Sequence, residues 1–168
     1  MSSSIQSSFE KQFTLSNGQN CVLRNFAAAD IEYVVEVERS ANPHPWSERN
    51  FIDSVQSSHI CILCDISDEA VAHSVFSIAA GEAELLILSV HPMWQRHGIA
   101  RGILTYMFQE LEDYAAEMFL EVRESNDRAI SLYENLGFNA VGTRPAYYPN
   151  GAEREDALIY ARSLRITK

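Results

Sequence analysis

The segment Glu82-Ala-Glu-Leu-Leu-Ile-Leu-Ser-Val90 reads as a long, mostly apolar strand, and Pro92 ends it. Gly98 then opens the strongest helical pattern in the chain. Ile99, Ile103, Leu104, Met107, Phe108 and Leu111 form one apolar stripe in a helix predicted over 98–114. A central strand feeding such a helix restricts the chain to folds with helices packed on a sheet. The junction is also chemically distinctive. The first N–H groups of a helix have no intrahelical partner and carry partial positive charge, so they bind phosphate. Gly98 has no Cβ and lets a phosphate approach the backbone, and Ala100 is small for the same reason. The same residues also suit an ordinary strand-to-helix turn.

The rest of the chain extends this pattern. A short strand is predicted over 21–26. A helix follows over 30–39, with Ile31, Val34, Val35 and Glu38 near helical spacing. Two prolines make Asn42-Pro-His-Pro-Trp46 a loop. Ser47 then caps a second helix, with Asn50 three residues on and an apolar Phe51, Ile52, Val55 face. Strands are predicted over 59–66 and 70–78, around a turn at Asp68-Glu69, and over 118–122. A helix over 125–136 has Ser125 at its N-cap and Gly137 past its end. Final strands fall over 138–143 and 157–161, with the Tyr148-Pro-Asn-Gly151 turn between them. The fold class is a mixed α/β (α+β) sheet.

The 168 residues, 46% hydrophobic and 21% charged, suit one ordinary domain. Residues 1–17 are expected to form a flexible extension and 18–168 a single domain. The Ser-rich start lacks a basic segment followed by an apolar one, so it reads as a frayed extension rather than a signal peptide. Apolar runs such as Leu85–Leu88 are too short to cross a membrane, and no membrane association is expected. Three cysteines suggest reduced thiols in the cytoplasm. Cys61 and Cys64 form a C-x-x-C, but residues three apart on a strand face opposite ways and do not converge on one metal. His44, His59, His73 and His91 are scattered, so no metal is expected. The net charge of −10 disfavours direct nucleic-acid binding and suits a basic partner.

Specific motifs sharpen this reading. Gln95-x-x-Gly98-x-Ala100 resembles the pyrophosphate-binding element of the GNAT acetyltransferases. Leu120-Glu-Val-Arg-Glu-Ser-Asn126 and Ala129-Ile-Ser-Leu-Tyr133-Glu-Asn-Leu-Gly-Phe138 resemble the RimI-type ribosomal-protein-alanine N-acetyltransferase branch. So do His44-Pro-Trp-Ser47, Tyr147-Tyr-Pro149 and Arg154-Glu-Asp-Ala157, and the likeness covers about residues 22 to 162.

The resemblance implies the GNAT fold: a central, mostly antiparallel twisted sheet flanked by helices, with a splayed strand pair holding acetyl-CoA. It assigns the cosubstrate to Leu88, Ser89 and Val90 beside the thioester, and to Arg96, His97, Gly98, Ile99, Ala100 and Arg101 at the pyrophosphate. Asn126 is expected to contact CoA, although a helix-start residue serves local hydrogen bonding equally. Glu121 is expected as general base and Tyr133 as general acid. Glu121 also reads as a strand-edge charge, and Tyr133 as a core residue on the Ile130, Tyr133, Leu136 face. Trp46, Glu84, Tyr147 and Tyr148 are expected on the acceptor side, and each also reads as packing or ordinary surface.

The implied reaction is acetyl transfer to the N-terminal α-amine of a basic ribosomal protein, the alanine-starting eighteenth protein of the small subunit. An α-amine titrates near ~7.7–8, so modest help from a base suffices. One position departs from the branch: Ile87 stands where asparagine is usual, which bears on acceptor choice. Transfer to a lysine or small-molecule amine, and a non-catalytic acetyl-CoA-binding module, remain as alternatives.

Overall fold

The computed structural model of the chain describes residues 10–165. Along the chain run β1 (Glu10–Thr14), β2 (Asn20–Asn25), α1 (Ile31–Ala41), α2 (Glu48–Gln56), β3 (Ile60–Ile66), β4 (Glu69–Ala79) and β5 (Glu82–Val90). Then come α3 (Ile99–Leu111), β6 (Glu117–Arg123), α4 (Asp127–Asn135), β7 (Asn139–Asn150) and β8 (Glu153–Ser163). They group into two compact units. One takes the described residues up to Ser77 together with Ile87–Glu110, the other Ile78–Leu86 together with the described residues from Leu111.

In the first unit β1, β2, β3 and β4 form an antiparallel meander. Ile60–Cys64 of β3 and Val71–Phe76 of β4 are buried residue after residue, as strands covered on both faces must be. The β3–β4 turn lies one residue earlier than the sequence suggests: Ser67 and Asp68 both take positive φ, the geometry that matches hairpin twist. α2 is capped as expected, Ser47 Oγ accepting from Asn50 N while the Asn50 side chain accepts from Ser47 N. Its Phe51 is fully buried, with its ring 5.1 Å from that of His73 on β4. Cys61 and Cys64 are buried free thiols, and burial pushes Cys61 up to about 12, which makes it inert at neutral pH.

Residues 10–14, read from sequence as part of a flexible extension, form β1 instead; residues 1–9 of that expectation lie outside the described residues. Two contacts fix β1 to α3. The Phe13 ring lies so near Gly102 that a Cβ there would come within 2.4 Å of it. The Tyr106 hydroxyl donates to Gln12 O at 3.0 Å.

In the second unit the order is β5, β6, β8, β7. β5 and β6 are parallel, with register from Glu82↔Glu117 to Leu85↔Leu120. The ladder stops there, although β5 runs on to Val90 and β6 to Arg123, where β8 still pairs with it. Met118, Leu120 and Val122 of β6 are buried and alternate with Phe119, Glu121 and Arg123 on the opposite face. α4 ends in a Schellman arrangement: Gly137 N donates to Glu134 O and Phe138 N to Tyr133 O. Its N-cap is Asn126, accepting from Ala129 N, and not Ser125 as the sequence suggested. The β7–β8 hairpin is longer than expected and turns at Gly151-Ala152. β7 is an edge strand exposed nearly throughout, so no apolar alternation marks it, and Pro145 and Pro149 read as loop.

Candidate active site

The strand-to-helix junction of the first unit is built by its own side chains. Gln95 Nε2 donates to Val90 O at 3.0 Å, and His97 Nδ1 lies 2.8 Å from Gln95 O. Arg96 takes φ +65 and Gly98 φ +84, with His97 between them outside that region. Such alternation makes anion-binding concavities from successive N–H groups. A Cβ on Gly98 would meet nothing within 4 Å, so the space over this glycine is open. The first carbonyl to accept a helical bond in α3 is Gly98 O, from Gly102 N. The N–H groups of Ile99, Ala100 and Arg101 therefore precede the helical ladder. The Ile99 side chain is core, so this residue can serve a ligand only through its backbone.

Upstream of the junction, Leu88 and Val90 are half-buried, and Ser89 is buried with its hydroxyl donating to Glu38 Oε1 at 2.6 Å. Trp46 is half-buried against Phe51, ring centroids 5.3 Å apart, and its N–H donates to Glu38 Oε2 at 2.9 Å. The same unit carries a groove of about 920 Å³ with Arg24, Asp30, Glu36, Asp65 and Trp94 in its wall; of the expected site residues, His97 reaches it.

The second unit gathers the expected acid–base groups. Glu121 and Arg123 lie two apart on β6 and face the same way. Glu121 Oε1 accepts from Arg144 Nε of β7. Glu84 pairs in register with Phe119, which places it on the face of Glu121. Burial pushes the Glu84 carboxyl up, the nearby Glu121 charge adds to this, and Arg144 opposes it.

Beside them, β7 departs from its register with β8 between Arg144 and Tyr148. This irregularity is held by the Arg154-Glu-Asp-Ala157 motif. Asp156 Oδ1 accepts from Ala146 N at 2.8 Å, and Arg154 donates to Ala146 O and Tyr147 O at 2.7 Å each. The third member, Glu155, pairs with Arg123 at 2.9 Å. The Arg123 guanidinium lies 4.4 Å from the centroid of the Tyr148 ring and also donates to Pro149 O. The motif thus displays Tyr147, 46% exposed, and the half-buried Tyr148.

Tyr133 is buried on α4, its ring edge-on to Phe138. Burial, with a smaller effect from Tyr148, pushes its hydroxyl up to about 12. Among the described residues no group of three or more His, Cys, Asp or Glu is placed to hold a metal ion. No helix among them is long and apolar enough to cross a membrane.

The acetyltransferase (GNAT) family profile matches residues 31–138. The chain belongs to the GNAT acetyltransferase family. It is 34% identical over 140 residues to the ribosomal protein bS18-alanine N-acetyltransferase of Escherichia coli, covering 83% of this chain and 95% of that protein. The crystal structure of the Escherichia coli ribosomal-protein-alanine N-acetyltransferase superposes with a TM-score of 0.82 at 32% identity, covering 88% of this chain and 96% of that one. An N-alpha-acetyltransferase of Saccharolobus solfataricus is 29% identical over 162 residues, covering 88% of this chain and 95% of that protein.

Within this GNAT chain, the first unit holds Trp46, Ser89 and the Arg96–Arg101 loop, and Glu38 joins the first two. The second unit brings Glu84, Glu121, Tyr147 and Tyr148 around Arg144. Asn126 stands at the start of α4 with its side-chain oxygen committed to the cap. Sequence reasoning gave neither Arg144 nor Glu38 a role of its own. The available signal for Glu38 was a carboxylate on the apolar stripe of α1. Arg144, in an exposed edge strand, gave none.

Proposed function

We propose that the chain transfers the acetyl group of acetyl-CoA to the N-terminal α-amine of an alanine-starting, basic ribosomal protein. The observation that carries this is the near full-length likeness to the bS18-alanine N-acetyltransferase of Escherichia coli. The acidic balance of the chain and the carboxylates Glu84 and Glu121 on the second unit with Tyr147 and Tyr148 support a cationic peptide acceptor. The free thiols and the bacterial relatives support a cytoplasmic setting, and the net charge of −10 disfavours a direct nucleic-acid partner.

The junction residues fit the cosubstrate, because the open space over Gly98 and the unpaired amides of Ile99, Ala100 and Arg101 suit a pyrophosphate. Arg96 and His97 lie in the same loop, and Leu88, Ser89 and Val90 border the thioester. Acetyl-CoA supplies the acetyl group as a thioester. Glu121 takes a proton from the acceptor amine, directly or through water, so that a neutral amine attacks. Tyr133 gives its proton to the departing sulfur, and a hydroxyl pushed up to about 12 keeps that proton throughout the neutral range. Trp46, Tyr147 and Tyr148 offer aromatic walls for the first acceptor residues. Asn126 orders the start of α4 beside the CoA.

Incubating the protein with acetyl-CoA and an alanine-starting peptide, then mapping the product by mass spectrometry, tests this. Absence of an acetylated α-amine would sink it. Ile87, half-buried in β5, favours a second reading, a GNAT enzyme acting on lysine or a small-molecule amine. Transfer confined to ε-amines in the same assay would select that reading.

A further inference from the structure

Glu38 is a fully buried carboxylate that the proposed chemistry leaves unused. Its Oε1 accepts from His73 Nε2 at 3.1 Å and from Ser89 Oγ at 2.6 Å. Its Oε2 accepts from Trp46 N at 2.9 Å and from Asn42 Nδ2 at 3.2 Å. An ionised carboxylate offers about four such sites, so all of them are taken. Burial pushes the Glu38 carboxyl up, but the His73 ring, the Ser89 hydroxyl and the Trp46 amide outweigh it and hold the group below its ordinary range. A buried charge persists only with this degree of pairing.

The four donors come from β4, from the end of β5 and from the loop between α1 and α2. That loop, Asn42-Pro-His-Pro-Trp46, has few amides of its own, since Pro43 and Pro45 have none. Every one it has is bound within this network. Asn42 N donates to Glu38 O, His44 N to Asn42 Oδ1, and Trp46 N to Glu38 Oε2. One residue thus sets the position of the whole loop and joins it to Ser89.

We propose that Glu38 is a positioning residue for acetyl transfer, fixing the acceptor-side Asn42–Trp46 loop to the Ser89 end of β5. The roles of those two segments rest on the proposed function; the junction does not. Glu38 makes no contact with the Arg96–Arg101 loop among its four hydrogen bonds and reaches the cosubstrate side through Ser89 alone, so its loss should move the acetyl-CoA KM much less than the acceptor KM.

The test compares Glu38→Ala with Glu38→Gln in steady-state kinetics with an alanine-starting peptide. Hydrogen bonds to a charged group are worth enough that Glu38→Ala should raise the acceptor KM by about tenfold or more, with a much smaller change in the acetyl-CoA KM. Glu38→Gln should restore the acceptor KM. Its carbonyl can accept from Trp46 N and Asn42, while its amide faces Ser89 Oγ and His73 Nε2. His73 can then carry its proton on Nδ1, which has no hydrogen-bond partner among the described residues.

Should Glu38→Ala not fold, Asn42→Ala, at a half-buried position, should raise the acceptor KM a few-fold and leave the acetyl-CoA KM alone. A parallel rise of both KM values, or no rise in the acceptor KM, overturns the proposal. Hydrogen exchange over residues 42–47 needs no substrate: it should quicken in Glu38→Ala, or in Asn42→Ala in its place, and stay as in the parent in Glu38→Gln. A parent protein that transfers nothing to an α-amine refutes the functional reading alone. Unchanged exchange refutes the role of Glu38.

Discussion

Arg144 Nε donates to Oε1 of Glu121 across β8, the strand that lies between theirs. Ile159 of β8 pairs with Glu121 on one side and Gly142 on the other, and Arg144 stands two residues beyond Gly142 on the same face. The proposed base is therefore held by a cation drawn from the hairpin that carries Tyr147 and Tyr148. Glu121→Gln should lower kcat by about 10²-fold or more, the range of general-base assistance, with acetyl-CoA affinity unchanged by calorimetry. Arg144 is largely exposed, so Arg144→Gln should leave the midpoint of urea unfolding close to that of the parent.

Tyr133→Phe keeps the ring that packs on Phe138 and removes the proton donor. Turnover should fall by about 10²-fold while acetyl-CoA binding and melting temperature hold. The pH profile follows from the same group. A hydroxyl pushed up to about 12 is protonated at every pH below that value, so it produces no fall in rate through the neutral and mildly alkaline range. The kcat/KM for the acceptor should rise as its amine deprotonates near ~8 and then stay level to about pH 10. A descending limb in that interval would remove Tyr133 as the acid.

Gly98 combines φ +84 with open space where its Cβ would stand. Gly98→Val should abolish acetyl-CoA binding by filling that space. The backbone strain of a β-branched residue at positive φ should add about 1–2 kcal/mol of destabilisation. Gly98→Ala carries most of the strain with less bulk, so stability measured by urea unfolding should fall with partial binding retained. Equal binding by all three proteins would mean that phosphate is held elsewhere.

Glu38 links acid stability to the same loop. Its folded carboxyl lies below the ordinary glutamate value of ~4.3, so its stabilisation is complete above that pH and is lost as pH falls through the folded value. The parent protein should therefore lose unfolding free energy on acidification more steeply than Glu38→Gln, which has nothing to protonate there. Urea unfolding at a series of pH values checks this. Identical slopes would mean that Glu38 does not titrate with folding.

Apolar periodicity marked the elements that bury a face. β5 was legible from end to end, because its apolar run stops at Pro92, and the stripe from Ile99 to Leu111 marked α3. The elements that escaped are those whose order comes from something other than burial. β1 is held by its pairing with β2 and by Phe13 meeting a glycine in α3 far along the chain, and no apolar pattern reports that. The irregular stretch between Arg144 and Tyr148 depends on Arg154 and Asp156, which bind its backbone from the next strand. At the start of α4, Ser125 and Asn126 were both competent caps, and only the backbone path chose between them. The family motifs named Glu121, Tyr133 and the loop through Gly98, but not the ion pair at Glu121 or the carboxylate behind Trp46. Both of these arise from side chains brought together by tertiary structure.

The most direct test of the central claim is acetyl transfer to an alanine-starting, basic peptide, with the modified nitrogen mapped by mass spectrometry. Modification of the α-amine, dependent on Glu121 and Tyr133, is the expected result. An unmodified α-amine in the presence of bound acetyl-CoA, or acetyl groups on ε-amines alone, would contradict it.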